Sequence, residues 1–211
     1  MSSAESERFW DRRARKYAKG TIGDVEGYER TLERTREHLR PGGSVLELGC
    51  GSGSTALLLA EHAGRYLATD ISAEMIAIAN EKLAETPVSG LAFQKATAES
   101  LAGEEARFDV VLGFNYLHLA GDLGETLAHV RELLVPGGLF ISKTPCVLDM
   151  NPLVRLAVRV MQALGKAPGV SRVSERGLKQ AMGEAGFEVV VCERHASKGR
   201  DDRPFIVAKR V

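Results

Sequence analysis

Eight consecutive residues, Glu47, Leu48, Gly49, Cys50, Gly51, Ser52, Gly53 and Ser54, carry the most chemistry in this sequence. Glycines at alternate positions let a backbone turn sharply and come close to a ligand, because no Cβ stands between them. Where such a turn opens a helix, unpaired amides favour an anionic or strongly polar group. Asp70 follows at about the distance at which a carboxylate accepts hydrogen bonds from a ribose 2′-hydroxyl. Taken alone, Asp70 reads equally as a helix cap or a solvated turn residue. With the glycine turn it reads as the sugar-holding acid of a nucleotide site. Glu47 has two readings, a salt bridge beneath the turn or a carboxylate facing a cationic ligand. Gly51, Gly53 and Ala56 also satisfy the GxGxxA spacing of nicotinamide and flavin sites, so a nicotinamide-dependent oxidoreductase stands as the alternative.

These residues need a strand before the turn and a helix after it, and the surrounding pattern supplies both. Residues 44–48 form a short apolar run, and 54–62 take up a helical spacing with Ser54 as the expected cap. A helix over 25–39 precedes them and stops at Pro41, Gly42 and Gly43. The cycle then repeats, with strands at 66–70, 91–96, 108–114 and 139–143 and helices at 72–85 and 122–134. Such alternation predicts a doubly wound α/β fold with a mostly parallel sheet and helices on both faces. Beyond it, 174–186 reads as a helix capped by Ser174, and 187–193 and 205–209 as strands able to pair antiparallel at one edge.

Composition narrows the function. The 28 basic residues equal the 28 acidic ones, so no overall field draws the chain to a phosphate backbone, and no nucleic-acid partner is expected. Cys50, Cys146 and Cys192 are too few and too widely spaced for a disulfide framework or a zinc site, and read as reduced thiols of a cytoplasmic protein. No metal site is expected, since HxH, CxxC and HExxH are all missing. The charged start lacks the apolar core of a signal peptide, and no run is long enough to span a membrane. One domain is expected: a helical cap over 1–40, a cofactor-binding core over 41–145, a helical insertion over 146–172, and a helix with a β-hairpin over 173–211.

The motifs resemble the class I, Rossmann-like S-adenosylmethionine-dependent methyltransferases. VLELGCGSGS (45–54) is similar to their first motif, ATDIS (68–72) to the second, KATAESL (95–101) to the third, FDVVLGFNYLHL (108–119) to the fourth, and LLVPGGLFIS (133–142) to the fifth strand and its loop. The resemblance implies a seven-stranded sheet in the order 3-2-1-4-5-7-6 with an antiparallel last strand. It implies methyl transfer from S-adenosylmethionine, leaving S-adenosylhomocysteine. It places Gly49, Cys50, Gly51 and Gly53 against the cofactor, Asp70 on the ribose, and Ile71 and Met75 beside the adenine. Thr97, Ala98 and Glu99 fall in the adenine-contacting motif, where family members often carry Asp at the position of Thr97. Glu47 would face the sulfonium and its amino group, and Asn115 would support the methionine end. FWDRRARKYA (9–18) is similar to a segment that folds over the cofactor in many members, which brings Trp10 and Tyr17 near it.

Methyl transfer needs an aligned nucleophile and a dry site more than it needs catalytic side chains. The acceptor belongs at the carboxyl ends of the central strands, among Asn115, Tyr116 and His118, and His118 is the candidate general base. GFNY (113–116) lacks the paired prolines of enzymes that methylate exocyclic amines, which disfavours nucleic-acid amino methylation and leaves a small-molecule acceptor, apolar or amphipathic if the greasy 149–166 segment is its lid. A non-catalytic nucleotide binder is the remaining alternative. The insertion at 149–166 reads as an amphipathic helix with an apolar face of Leu153, Leu156, Ala157, Val160 and Leu164. Packing of that face on the core is the plain reading; an acceptor lid, a dimer face and peripheral lipid contact are the sharper ones. Either a monomer or a homodimer is compatible with the sequence. Arg8, Arg12, Arg15 and Lys19 recur at helical spacing as a basic stripe.

Overall fold

The computed structural model describes residues 3–103, 107–163, 169–199 and 201–211. The apolar runs become strands β1 (Ser44–Leu48), β2 (Arg65–Asp70), β3 (Leu91–Lys95), β4 (Phe108–Phe114), β5 (Leu134–Lys143), β6 (Phe187–Glu193) and β7 (Phe205–Arg210). They form one sheet in the order β3-β2-β1-β4-β5-β7-β6. The first five strands pair in parallel, and β7 runs antiparallel between β5 and β6. Strand composition explains this placement. Phe205, Ile206, Val207 and Ala208 are all fully buried, as an interior strand requires. In contrast, β6 buries only Phe187 and then alternates exposed with half-buried residues, as suits an edge strand.

Helices cover both faces: α1 (Ser3–Asp11), α2 (Ala14–Ala18), α3 (Val25–Arg36), α4 (Ser54–Leu59), α5 (Ala73–Glu85), α6 (Ala98–Leu101), α7 (Leu123–Leu133), α8 (Pro152–Ala163) and α9 (Glu175–Glu184). One core packs Leu101, Leu127, Val130, Leu178 and Met182 of α6, α7 and α9 against the sheet. The other packs Leu32, Ala56, Leu59 and Ile76 of α3, α4 and α5 against the opposite face. Asp24, Ser72, Asp122 and Ser174 each accept a bond from the backbone N–H three residues on, which starts α3, α5, α7 and α9 where the polar residues fall. Because β1 pairs with β2 on one side and β4 on the other, the chain reverses its direction of sheet growth there. A crevice opens at the carboxyl ends of such strands.

The structure corrects three expectations. Ser54 is not the cap of α4; Gly53 holds that place with φ +77°, a left-handed conformation that suits glycine far better than serine. Strand β5 begins at Leu134 rather than at 139, and a register shift against β4 between Phe108 and Val110 absorbs the Pro136-Gly137-Gly138 segment. The basic stripe does not run along one helix, since the chain breaks between α1 and α2, and Arg15 is paired with Glu81 at 2.8 Å. Gly53 is required by packing as well as by φ. A Cβ there would stand 2.6 Å from the Phe93 ring and 2.9 Å from Ala79 Cβ, so α4 approaches β3 and α5 only with glycine at its start. Gly53→Ala is therefore expected to lower unfolding free energy by about 2–4 kcal/mol, combining left-handed strain with overpacking. Urea denaturation measures the loss.

Candidate active site

The site is built on the tips of β1 and β2. After Leu48 the chain turns through Gly49, Cys50 and Gly51, with Gly49 at φ +69° and Gly51 at φ +54°. The Asp70 carboxylate fixes this turn: one oxygen accepts the Gly51 N–H at 2.9 Å, and the other accepts the Ser72 N–H at 2.9 Å. Asp70 is thus a turn residue in its own right. A carboxylate offers about four acceptor positions, more than the backbone amides occupy, so the turn role and the ribose role are compatible. Burial pushes the Asp70 carboxyl above its ordinary value, and the backbone amides of Ser72, Gly51 and Ile71 oppose that shift. The buried Cys50 donates its backbone N–H to the Thr69 carbonyl at 2.9 Å. On the far side of the turn, Lys82 Nζ donates to the Ser52 carbonyl at 2.9 Å and to the Ser52 and Ser54 hydroxyls at 3.0 Å each.

Glu47 is buried at the end of β1, and the salt-bridge reading is not what the structure shows. Its partner is the Tyr66 hydroxyl, which donates to Oε2 at 2.7 Å from the neighbouring strand. No ion pair reaches Glu47 or Asp70 among the described residues. Removal from water pushes the Glu47 carboxyl up to about 7, although the Tyr66 bond pulls the other way. Two buried acids with no cation of their own suit a ligand that brings a positive charge.

The amino-terminal helices roof the turn. Asp11 accepts the Ser72 hydroxyl at 2.6 Å and the Glu74 N–H at 3.3 Å, pinning α1 to the start of α5. Ala14, Met75 and Ile78 then close a small apolar cluster, with Trp10 packed against it. Tyr17 meets the Trp10 ring edge-on, 5.9 Å between centroids. Its Cε1 lies 3.6 Å from where a Cβ on Gly51 would stand, yet the residue remains 56% exposed. Tyr17 therefore lies over the turn. Met75 is buried under α2, and Ile71 is half-buried at the tip of β2.

On the other side, Asn115 adopts φ +51°, the only positive φ outside glycine among the described residues. The Asn115 side chain is exposed, and its N–H donates to the Lys143 carbonyl at 2.8 Å. Such strained residues concentrate at functional sites. The Tyr116 ring fills the space beside Gly49, where a Cβ would lie 2.9 Å from Cδ2. Burial pushes its hydroxyl up to about 12. Thr97 caps α6 by accepting the Ser100 N–H at 3.1 Å, which commits its hydroxyl to the backbone; Ala98 behind it is buried and Glu99 exposed. His118 sits on a single helical turn, Leu117–Leu119, with Nδ1 buried and without a partner. Burial pulls its imidazole down to about 4.

A model of the family described as "Methyltransferase domain" matches residues 10–191. This chain belongs to that methyltransferase family. It is 31% identical over 170 residues to the hybrid PKS-NRPS synthetase LepA of Aspergillus flavus, covering 74% of this chain and 4% of that protein. It is 36% identical over 110 residues to the ubiquinone biosynthesis O-methyltransferase of Cereibacter sphaeroides, covering 51% of this chain and 42% of that one. The chain thus spans less than half the length of either curated relative. The magnesium protoporphyrin IX methyltransferase from Synechocystis PCC 6803, solved with bound SAH, superposes with a TM-score of 0.74 at 19% identity over the whole of both chains. That likeness shows the shared fold.

The chain also holds polar groups that its sequence does not single out. Lys143, at the tip of β5, donates to the Thr31 hydroxyl at 2.9 Å. The same hydroxyl lies 3.0 Å from Nδ1 of the buried His195, whose Nε2 is 3.1 Å from Glu193. Arg34 completes the chain with two bonds to the Glu193 carboxylate. This network ties α3 to β5 and to the loop between β6 and β7, an association no local pattern reveals. Tyr66, the partner of Glu47, is likewise invisible until β1 and β2 pair. Asp11, by contrast, lies within the FWD run, so that run held the signal for the roof. Asp70→Ala is expected to weaken S-adenosylhomocysteine binding by about 1.5–3 kcal/mol, the scale for hydrogen bonds to a charged group. Titration calorimetry on the folded variant reads that change.

Proposed function

We propose that this chain transfers the methyl group of S-adenosylmethionine to a small-molecule acceptor. One observation carries the reading: two buried carboxylates without cationic partners flank a glycine turn at the point where the sheet reverses. When bound, S-adenosylmethionine supplies an electrophilic methyl carbon on a positively charged sulfur. Asp70 accepts from the ribose hydroxyls, and Glu47 balances the ligand's positive charge from beneath the turn. Asn115 holds the methionine end, and Ile71 and the backbone of Ala98, beside Thr97 and Glu99, border the adenine. Tyr17 and the Trp10 ring behind it close the roof and exclude water. The names of the ubiquinone-pathway and magnesium protoporphyrin enzymes support a small organic acceptor rather than a nucleic acid.

The acceptor lies at the carboxyl ends of β4 and β5, where His118 takes the proton that the nucleophile releases. Burial, which pulls its pKa down to about 4, leaves the ring unprotonated across the neutral range but a weaker base than a free imidazole, so the role rests on its position rather than on its basicity. His118→Ala is expected to lower kcat by about 10²- to 10⁴-fold while S-adenosylhomocysteine affinity stays unchanged. The assay is transfer of labelled methyl groups into a cell extract, with products identified by mass. Tight binding of a nicotinamide cofactor with indifference to S-adenosylhomocysteine would instead favour the oxidoreductase.

Glu47 gives the site a pH signature. Burial in the fold pushes its carboxyl from the ordinary 4.5 up to about 7, so its contribution to stability is complete below pH 4.5 and fades as the pH rises through 7. A cationic ligand favours the ionised form. Below pH 7, S-adenosylmethionine binding should therefore release a proton, and affinity should rise with pH by up to about tenfold per unit before levelling off. Calorimetry in buffers of different ionisation enthalpy detects the proton. Glu47→Gln, which keeps an acceptor for Tyr66, should abolish both effects.

A further inference from the structure

Helix α8 is inverted relative to an ordinary surface helix. At 100° per residue, Leu153, Val154, Leu156, Ala157, Val160 and Met161 share one face. Packing on the core would bury that face. Instead it points to solvent, with Leu153 75%, Leu156 57% and Val160 50% exposed. Arg155, Val158 and Gln162, on the opposite side, are less exposed and border Val147, Leu148 and Val170 of the stem. Leu164 lies outside the described residues.

The stem holds this orientation. Leu148 N–H donates to the Val173 carbonyl at 3.2 Å, which pairs the two ends of the excursion. Ser171 donates its N–H to the His118 carbonyl and its hydroxyl to the Ala120 carbonyl, both at 2.7 Å. Asp149 accepts the Glu175 N–H at 2.7 Å at the start of α9. The outward apolar face is thus presented by a tethered support beside the loop that carries His118.

Charge indicates what covers it. Residues 150–174 contain no Asp or Glu but include Arg155, Arg159, Lys166 and Arg172, in a chain whose formal net charge is zero. A short helix that combines an apolar face with charged residues that are all basic matches the acyl boundary and headgroups of an anionic bilayer. It fits a second copy of the chain poorly. A two-fold contact would set two such basic segments against each other, and one short helix face offers much less than the ~800 Å² per partner of a stable interface. No helix among the described residues is long and apolar enough to cross a membrane, so contact is with the surface.

We propose that α8 docks the methyltransferase on an anionic membrane surface, its Leu153, Leu156 and Val160 face entering the interface and the exposed Arg159 reaching the headgroups, while Arg155 on the stem side adds to the local basic field. The full chain is mixed with phosphatidylcholine vesicles, with and without phosphatidylglycerol, and the bound fraction is read by cosedimentation. Binding is expected only with phosphatidylglycerol and should weaken as salt is raised. The double variant Leu156→Glu/Val160→Glu should lose about tenfold or more of that binding. Its S-adenosylhomocysteine affinity should be unaltered, which shows that it is folded; Leu153→Glu, at the most exposed position, repeats the test should the double variant fail that check. The inference is overturned if the wild type ignores anionic vesicles, if the folded variants bind them as the wild type does, or if sedimentation shows a dimer that the same substitutions dissolve. Failure of the wild type to bind S-adenosylhomocysteine would count against methyl transfer and leave the vesicle result standing.

Discussion

The carboxylate of Asp70 is the joint on which the site depends. With one oxygen on the Gly51 amide and the other on the Ser72 amide, it links the turn after β1 to the start of α5. Both amides belong to segments that end parallel strands, where the backbone has run out of ladder partners. The bonds cost Asp70 its exposure to water, and with Glu47 nearby they concentrate negative potential at one spot without a matching cation. Burial without a cation raises both carboxyls, and a positively charged ligand favours their ionised forms.

The roof follows from the same joint. Ser72 gives its backbone N–H to Asp70, its hydroxyl to Asp11, and accepts the Met75 N–H. One buried serine thus connects the turn, the cap of α5 and the amino-terminal helices. Tyr17 reaches the glycine turn because Asp11 is held there and Ala14 packs beneath it. The roof's other ties lie at the surface: Arg15 of α2 pairs with Glu81 at 2.8 Å and Glu7 of α1 with Lys95 at 2.6 Å, while α1 and α2 bury Phe9 and Ala14 and leave most of their other residues at least partly wet. Small contact area over a binding crevice is the usual arrangement for a segment that opens and closes.

Much of this architecture was legible in the sequence because parallel strands buried on both faces read as unbroken apolar runs, and because capping residues stand where helices begin. The glycine turn and Asp70 were legible for a different reason: their role depends on backbone conformation at fixed short spacing. Ser54 misled because serine caps helices more often than glycine does, and only the closeness of Phe93 and Ala79 reveals why glycine had to take that place. The partner of Glu47 was hidden because Tyr66 becomes its neighbour through strand pairing, not through sequence. The orientation of α8 was hidden too, since periodicity locates an apolar face without saying which way it turns.

The place of β7 bears on how the molecule is made. A ribosome delivers β5 first, then α9 and β6, and only afterwards the strand that must slip between β5 and β6. Until residues 205–210 emerge, the outer edge of β5 lacks its partner and β6 has no neighbour in the sheet. A nascent chain in that condition exposes an unpaired strand edge beside Phe140 and Ile141, the kind of surface that chaperones bind and aggregates recruit. Premature termination before β7 would leave the glycine turn intact in sequence while depriving the molecule of a completed sheet.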